Sequence, residues 1–346
     1  MKLIIDAMGG DNAPLEIVKG ALSGQKRWGV DVTLTGDTTA ILQALEACGE
    51  KTLPQGMEIV HTTETVEMCD DPATVFRRKK DTSMGVGLTM LRDGRADAMV
   101  SAGSTGALLT GATLIVKRIR GIRRAAMAPV IPTTTGQAVL IDCGANAECT
   151  PEYLVQFAYL GSYYAHRVLG VERPRVGLLN IGTEDSKGTA LQKEAYALLK
   201  NAGEKGLVNF VGNVEARDVP LGAVDVVVCD GFNGNVLLKT IEGTAMFMGS
   251  LMKRMFKKNL LSKLGYLLCA SGVKDLMKML DYREIGGTPF LGIRKPVIKA
   301  HGASDVLAFR NAVKQAADVA ASDITGELEE NLQRLAAEKE KVTEHD

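Results

Sequence analysis

Short apolar runs recur along the chain, each followed by a polar or glycine-bearing turn and then by apolar positions at helical spacing. Runs at residues 2–5, 32–34, 58–60, 98–100, 139–141, 176–179, 224–228 and 297–298 have the length of buried strands. Helical spacing follows at Ile17, Val18 and Leu22, with Pro14 suited to a first turn, and again over 41–47. Further helices are expected after Pro72, over 84–91 despite Gly85 and Gly87, through Leu108, Leu109 and Leu114, after Pro151, and after Ser304. The strand–turn–helix grammar appears six times, which predicts an α/β fold with mostly parallel strands and helices on both faces. Right-handed crossovers then place the six turns together on one sheet edge, where a single cleft can form. A charged helix and tail are expected over 324–346, beyond the last apolar-periodic segment.

One turn stands out. After the run 176–179, Asn180 leads into Gly182, Thr183, Glu184, Asp185, Ser186, Lys187 and Gly188, and Leu191, Ala195, Leu198 and Leu199 then recur at helical spacing. Amide donors at a helix start, hydroxyl groups and a lysine together suit an anion, most simply a phosphate. The same stretch also fits an ordinary capped turn, and alone it is open to both readings. The other turns carry Asp6, Ser104 and Thr105, Asn146, Asn233, and His301. Of the four histidines, only His301 stands on such a turn. An aspartate at a strand end, such as Asp6 or Asp142, more often orders its own turn than binds a metal.

Charge and composition narrow the choice. Forty-one basic and 41 acidic residues cancel, so nothing draws the whole chain to nucleic acid. The six cysteines form no C-x-x-C pair and no zinc spacing, and suit reduced thiols in a cytoplasmic protein. Cys143 ends a strand but has nothing beside it in sequence to activate it. The polar turn that begins after four apolar residues is too early for a signal peptide, and no apolar run is long enough to span a membrane. There is no G-x-G-x-x-G, no Walker lysine loop and no G-x-S-x-G elbow, which argues against a dinucleotide, a bound nucleotide and a serine nucleophile. No cofactor and no metal are expected.

Two stretches break the even charge pattern. Lys117, Arg118, Arg120, Arg123 and Arg124 fall within eight residues, and Arg77 and Arg78 sit in a second basic cluster. Such runs are usually solvated faces, and they also suit docking of an acidic partner. Between Glu242 and Asp275 no acidic residue occurs, and six basic residues mix with methionines, leucines and aromatics. A helical hairpin over 244–283, joined near 259–265, is expected there. Its Lys253, Lys257, Leu260, Leu261, Leu264 and Leu267 suit either an apolar dimer interface with a basic rim or an anchor on an anionic membrane surface.

Taken in order, IIDAMGGDNAP, VSAGSTGALL, IDCGAN, LLNIGTEDSKG, CDGFNGNVLLK and AHGASD resemble the bacterial phosphate acyltransferases, with no departure at the motif positions from residue 1 to about residue 320. The resemblance implies a homodimer with a three-layer α/β/α fold, related to phosphate acetyltransferases and isocitrate/isopropylmalate dehydrogenases. The chain would then be a single α/β domain of residues 1–346 with its hairpin inside it. It also implies transfer of a fatty acyl group from acyl carrier protein to inorganic phosphate. The product would pass to a membrane glycerol-3-phosphate acyltransferase, so the enzyme would sit in the cytoplasm, peripheral to the membrane. On that reading Lys187 steers phosphate, Asn180 and Asn233 donate amide hydrogens, and His301 protonates the departing thiolate or orients its neighbours. Asp6, Ser104, Thr105, Asn146, Thr183, Ser186 and Gly188 complete the substrate wall. The rivals are a short-chain acyl-coenzyme A transferase on the same architecture and a non-catalytic membrane scaffold.

Overall fold

The computed structural model describes residues 1–324, together with 326 and 328. The charged tail expected over 324–346 lies almost wholly outside the described residues.

The chain opens with β1 (Lys2–Asp6), α1 (Leu15–Trp28), β2 (Asp31–Gly36), α2 (Thr38–Ala47) and β3 (Met57–His61). Next come α3 (Val75–Arg78), α4 (Ser83–Arg92), β4 (Ala98–Ser101) and α5 (Thr105–Gly111), the last running into a π-helical turn. A middle portion holds β5 (Ala126–Met127), β6 (Val130–Thr133), β7 (Gly136–Ile141), α6 (Pro151–Arg167) and β8 (Arg175–Asn180). It continues through α7 (Ala190–Glu204), β9 (Asn209–Glu215), β10 (Val226–Val228), α8 (Gly231–Lys257) and α9 (Leu260–Met279). Last come β11 (Gly287–Leu291), β12 (Val297–Ala300) and α10 (Val306–Ala321).

The α/β character and the mostly parallel strands agree with the sequence pattern, but the single sheet edge does not. The strands form two sheets, one ordered β3-β2-β1-β4-β12-β11-β5 and the other β6-β7-β10-β8-β9. In the first, β3, β2, β1, β4 and β12 are parallel, while β11 is antiparallel to both its neighbours. In the second, β7, β10, β8 and β9 are parallel and β6 is antiparallel. The turns are thus shared between two edges. Periodicity missed this because it locates strands without naming their partners, and the last strand, β12, returns to the first sheet. The overlooked strands are also weak signals. β6 carries Pro132 on an edge, where a missing N–H is tolerated, and β9 shifts register near Gly212, whose φ is 103°.

One buried apolar cluster runs through both sheets, from Leu3, Ile5 and Val100 to Val139, Val176 and Val226. α1 and α10 lie against the first sheet, with Gly20 and Gly24 of α1 pressed on Phe309 and Val313 of α10. Tyr164 and Phe157 of α6 fill the second. The start of α8 is packed more tightly than any of these. A Cβ on Gly234 would fall 1.9 Å from the carbonyl oxygen of Asp142, and one on Gly231 2.7 Å from that of Asn146.

Two local expectations change. The helix expected after Pro72, read to carry Arg77 through Lys80, stops at Arg78, and Lys79 turns away to bind Asp70 at 2.6 Å and the Thr65 carbonyl at 3.1 Å. The hairpin joint is tighter than 259–265: α8 ends at Lys257, and Asn259 already caps α9 by accepting from the Ser262 amide at 2.8 Å. Among the described residues, no helix is long and apolar enough to cross a membrane.

Gly234→Ala should destabilise the fold by about 1–3 kcal/mol, since the clash is with backbone and has no flexible side chain to yield. Gly243→Ala, on the same helix with nothing within 4 Å of the new Cβ, should be neutral or stabilising by up to about 1 kcal/mol. Denaturant unfolding of both variants measures the contrast, and equal effects would refute the close approach.

Candidate active site

Each sheet ends in a buried aspartate that binds its neighbours' turns together. Asp6, at the end of β1, accepts from the hydroxyls of Ser83 at 2.7 Å and Ser101 at 2.6 Å, and from the Met8 amide at 3.3 Å. Burial pushes its carboxyl above the usual range, opposed by those hydrogen bonds. Asp142, at the end of β7, accepts from the amides of Met127, Cys143, Ala145 and Asn146 and from the Asn146 side chain. Both carboxylates are fully engaged in the scaffold.

The β8 turn is stitched in the same manner. The Asn180 carboxamide accepts from the Ile181 amide at 2.8 Å and donates to the Lys187 carbonyl at 3.2 Å. Gly188 has a φ of 91°, and a Cβ there would meet the Asn180 oxygen at 2.6 Å, so the turn closes only with glycine. Thr183, Ser186 and Lys187 are left exposed. The Lys187 ammonium lies 4.0 Å from Glu184, a loose surface pair. Asn233 donates to Asp230, the cap of α8, at 2.6 Å, and Asn146 donates to the Ala125 carbonyl at 2.8 Å. Because β7, β10 and β8 are parallel neighbours, the turns bearing Asn146, Asn233 and Lys187 stand side by side on one edge.

Between the edges of the two sheets lies a cleft of about 570 Å³. Its polar lining comes from Asp11, Thr105, Asn235, Lys239, Glu242, Lys299 and His301, and its apolar lining from Met127, Val130, Ile131, Leu238, Ile241 and Leu280. Of the residues singled out from sequence, Thr105 and His301 line this cleft, Ser104 caps the helix that carries Thr105, and the β8 turn does not line it. His301 Nδ1 accepts from the Ala303 amide at 3.2 Å. Burial, with the positive charges of Lys239 and Lys299, holds its imidazole below the ordinary histidine range. Lys299 escaped the sequence reading, although a lysine inside the buried run of β12 was a visible signal. It is only 8% exposed, and burial lowers its ammonium to about 8. A second hollow of about 640 Å³ shares Val130, Met279 and Asp281 with the cleft, but it opens among Tyr164, Gln315 and α10, away from the strand ends.

A family model described as fatty acid synthesis protein matches residues 1–326. A phosphate acyltransferase of Thermoanaerobacterium thermosaccharolyticum is 44% identical over 335 residues, covering 97% of this chain and 98% of the relative. The chain belongs to the phosphate acyltransferase family. A phosphate acyltransferase of Alkaliphilus oremlandii is 47% identical, again over 97% of this chain and 98% of the relative. The protein is therefore a transferase acting on acyl groups. A phosphotransacetylase from Streptococcus pyogenes shares the fold of this acyltransferase over 94% of each chain, with a TM-score of 0.62 at 17% identity. A 4-hydroxythreonine-4-phosphate dehydrogenase from Burkholderia phymatum shares it over 92% of this chain and 97% of its own, with a TM-score of 0.52 at 14% identity. At such identities the likeness concerns the fold alone.

The basic stretch near residue 120 is a loop pinned by Ile119 and Ile122, which are 1% and 5% exposed. Arg118 donates to the Arg123 carbonyl, Arg124 lies 5.7 Å over the Tyr153 ring, and Lys117, Arg120, Arg123 and Arg124 remain exposed, as do Arg77 and Arg78. α9 buries no residue; Leu260 and Leu268 are 82% and 84% exposed. Near the hairpin tip, Phe256 and Tyr266 meet edge to face at 5.2 Å.

Proposed function

We propose that the enzyme transfers a fatty acyl group from acyl carrier protein to inorganic phosphate, forming acyl-phosphate by direct attack of phosphate on the thioester. The observation that carries this reading is the cleft between the sheet edges, whose lining combines the cations Lys239 and Lys299 and the Asn235 amide with an apolar surface. Phosphate is already largely dianionic at neutral pH, so it needs position and charge stabilisation more than a strong base. Lys187 steers phosphate from the neighbouring turn. Asn180 and Asn233 fix that turn and the start of α8, and Asp6, Ser104, Thr105, Asn146, Thr183, Ser186 and Gly188 shape the ground around it. The exposed arginines at 77, 78, 120, 123 and 124, with Lys117 and the half-buried Arg118, dock the acidic carrier. The hairpin pairs two copies of the chain and touches an anionic bilayer through Leu260, Leu261, Leu264 and Leu267 with Lys253 and Lys257, which brings the product close to a membrane glycerol-3-phosphate acyltransferase.

Phosphate-dependent loss of thioester should be fast with acyl carrier protein and slow with acyl-coenzyme A. The reverse order would favour the short-chain reading, and no loss with either would favour a scaffold. Lys187→Ala should lower turnover by about a hundredfold, the usual effect of deleting one charge-stabilising donor, and near-normal activity removes it from the mechanism. Arg123→Glu with Arg124→Glu should raise the carrier KM, most at low salt; an unchanged salt profile counts against docking there.

Leu260→Glu with Leu264→Glu should abolish cofractionation with anionic vesicles while leaving thioester cleavage in solution intact. Retained vesicle binding would rule out the hairpin tip as the anchor.

A further inference from the structure

Lys299 is a charge in an apolar setting. Its strand, β12, is buried along its whole length, with Val297, Ile298 and Ala300 fully covered. A buried ammonium is costly unless something answers it. Its Nζ donates to the carbonyl of Ala102 at 3.3 Å and to that of Ala300. An ammonium has three N–H groups, and these carbonyls take two. Among the described residues no carboxylate forms an ion pair with it: Asp6 is occupied by Ser83 and Ser101, and Asp6 and Asp11 attract it only from a distance. The remaining N–H belongs to a side chain that lines the cleft beside His301 and Gly302.

The other titratable group on this loop is less suited to giving up a proton. His301 is held below its ordinary range by burial and by Lys239 and Lys299, with Glu242 and Asp11 opposing, which favours its neutral ring. Lys299, lowered to about 8, carries its proton at neutral pH and releases it more readily than an exposed lysine.

Building on the acyl-transfer reading above, we propose that Lys299 is the general acid that protonates the departing thiolate. A phosphate oxygen forms the new C–O bond at the thioester carbonyl carbon. The C–S bond breaks with its electron pair going to sulfur, and the proton on Lys299 Nζ passes to that sulfur. The neutral amine then takes the P–OH proton of the new acyl-phosphate. Hydrogen phosphate dianion and thioester thereby become acyl-phosphate dianion and free thiol, with the lysine restored.

A leaving group that needs no proton separates this role from phosphate binding. Lys299→Met should lower kcat about a hundredfold with the carrier thioester, but less than about fivefold with the S-phenyl thioester of the same fatty acid, whose thiolate departs unassisted. The phosphate KM should stay unchanged. Equal losses with both thioesters, or a raised phosphate KM with kcat intact, overturn the assignment. A second measurement needs no variant: in the unaltered enzyme, turnover of the carrier thioester should fall as pH rises through about 8, while turnover of the phenyl thioester stays level. A fall in both, or in neither, overturns it as well. If the unaltered enzyme makes no acyl-phosphate from any thioester, the acyl-transfer reading fails and takes this assignment with it; turnover without the leaving-group difference defeats the assignment alone.

Discussion

The carboxylate of Asp142 holds the two halves of this molecule in register. It ends β7 of the second sheet, yet it accepts at 2.8 Å from the amide of Met127, whose strand β5 belongs to the first. Four further N–H contacts from Cys143, Ala145 and Asn146 fix the turn around it. Such saturation is what a fully buried carboxylate requires, because an unanswered charge or acceptor there would cost several kcal/mol. The backbone of the same residue is the surface on which Gly234 sits, so the start of α8 is placed by it too. Through α8 the constraint reaches the cleft: Asn235, Leu238, Lys239, Ile241 and Glu242 project from the turns that follow.

Asp6 performs the matching task on the first sheet, joining β1 to the starts of α4 and the β4 turn through Ser83 and Ser101. The turns at both edges are therefore tied down through these two carboxylates, and other side chains line the cleft. Lys299 and His301 come from the first sheet, α8 from the second, and the apolar lining from β5, β6 and α8 together. Lys187 differs from these in being held at the backbone but exposed at its tip. A cation of that kind costs little to keep charged and is free to meet an anion arriving from solvent.

Much of this was legible in the sequence because strand ends announce themselves. The runs that became β1, β4, β7, β8, β10 and β12 are short, apolar and followed by polar turns, and the class of fold follows from that repetition. The pairing of those strands was not legible, since β12 joins β4 across nearly 200 residues and the linking strands β6 and β11 carry prolines that mute their signal. The site was legible at the level of turns and less so at the level of side chains. Asn180, Asn146 and Asn233 sit in the expected turns, but their amides are spent on neighbouring backbone or on Asp142 and Asp230. Lys299 was hidden for the opposite reason: it lies within a strand, and only the packing around β12 reveals a buried cation that has no ion-pair partner among the described residues.

The central claim is that phosphate meets the acyl chain between the two sheet edges. A crystal structure determined with saturating phosphate tests it most directly. Phosphate density is expected in the cleft lined by α8 and the Lys299–His301 segment. Density confined to the hollow beside Tyr164 and Gln315, or no bound phosphate at all, would contradict it.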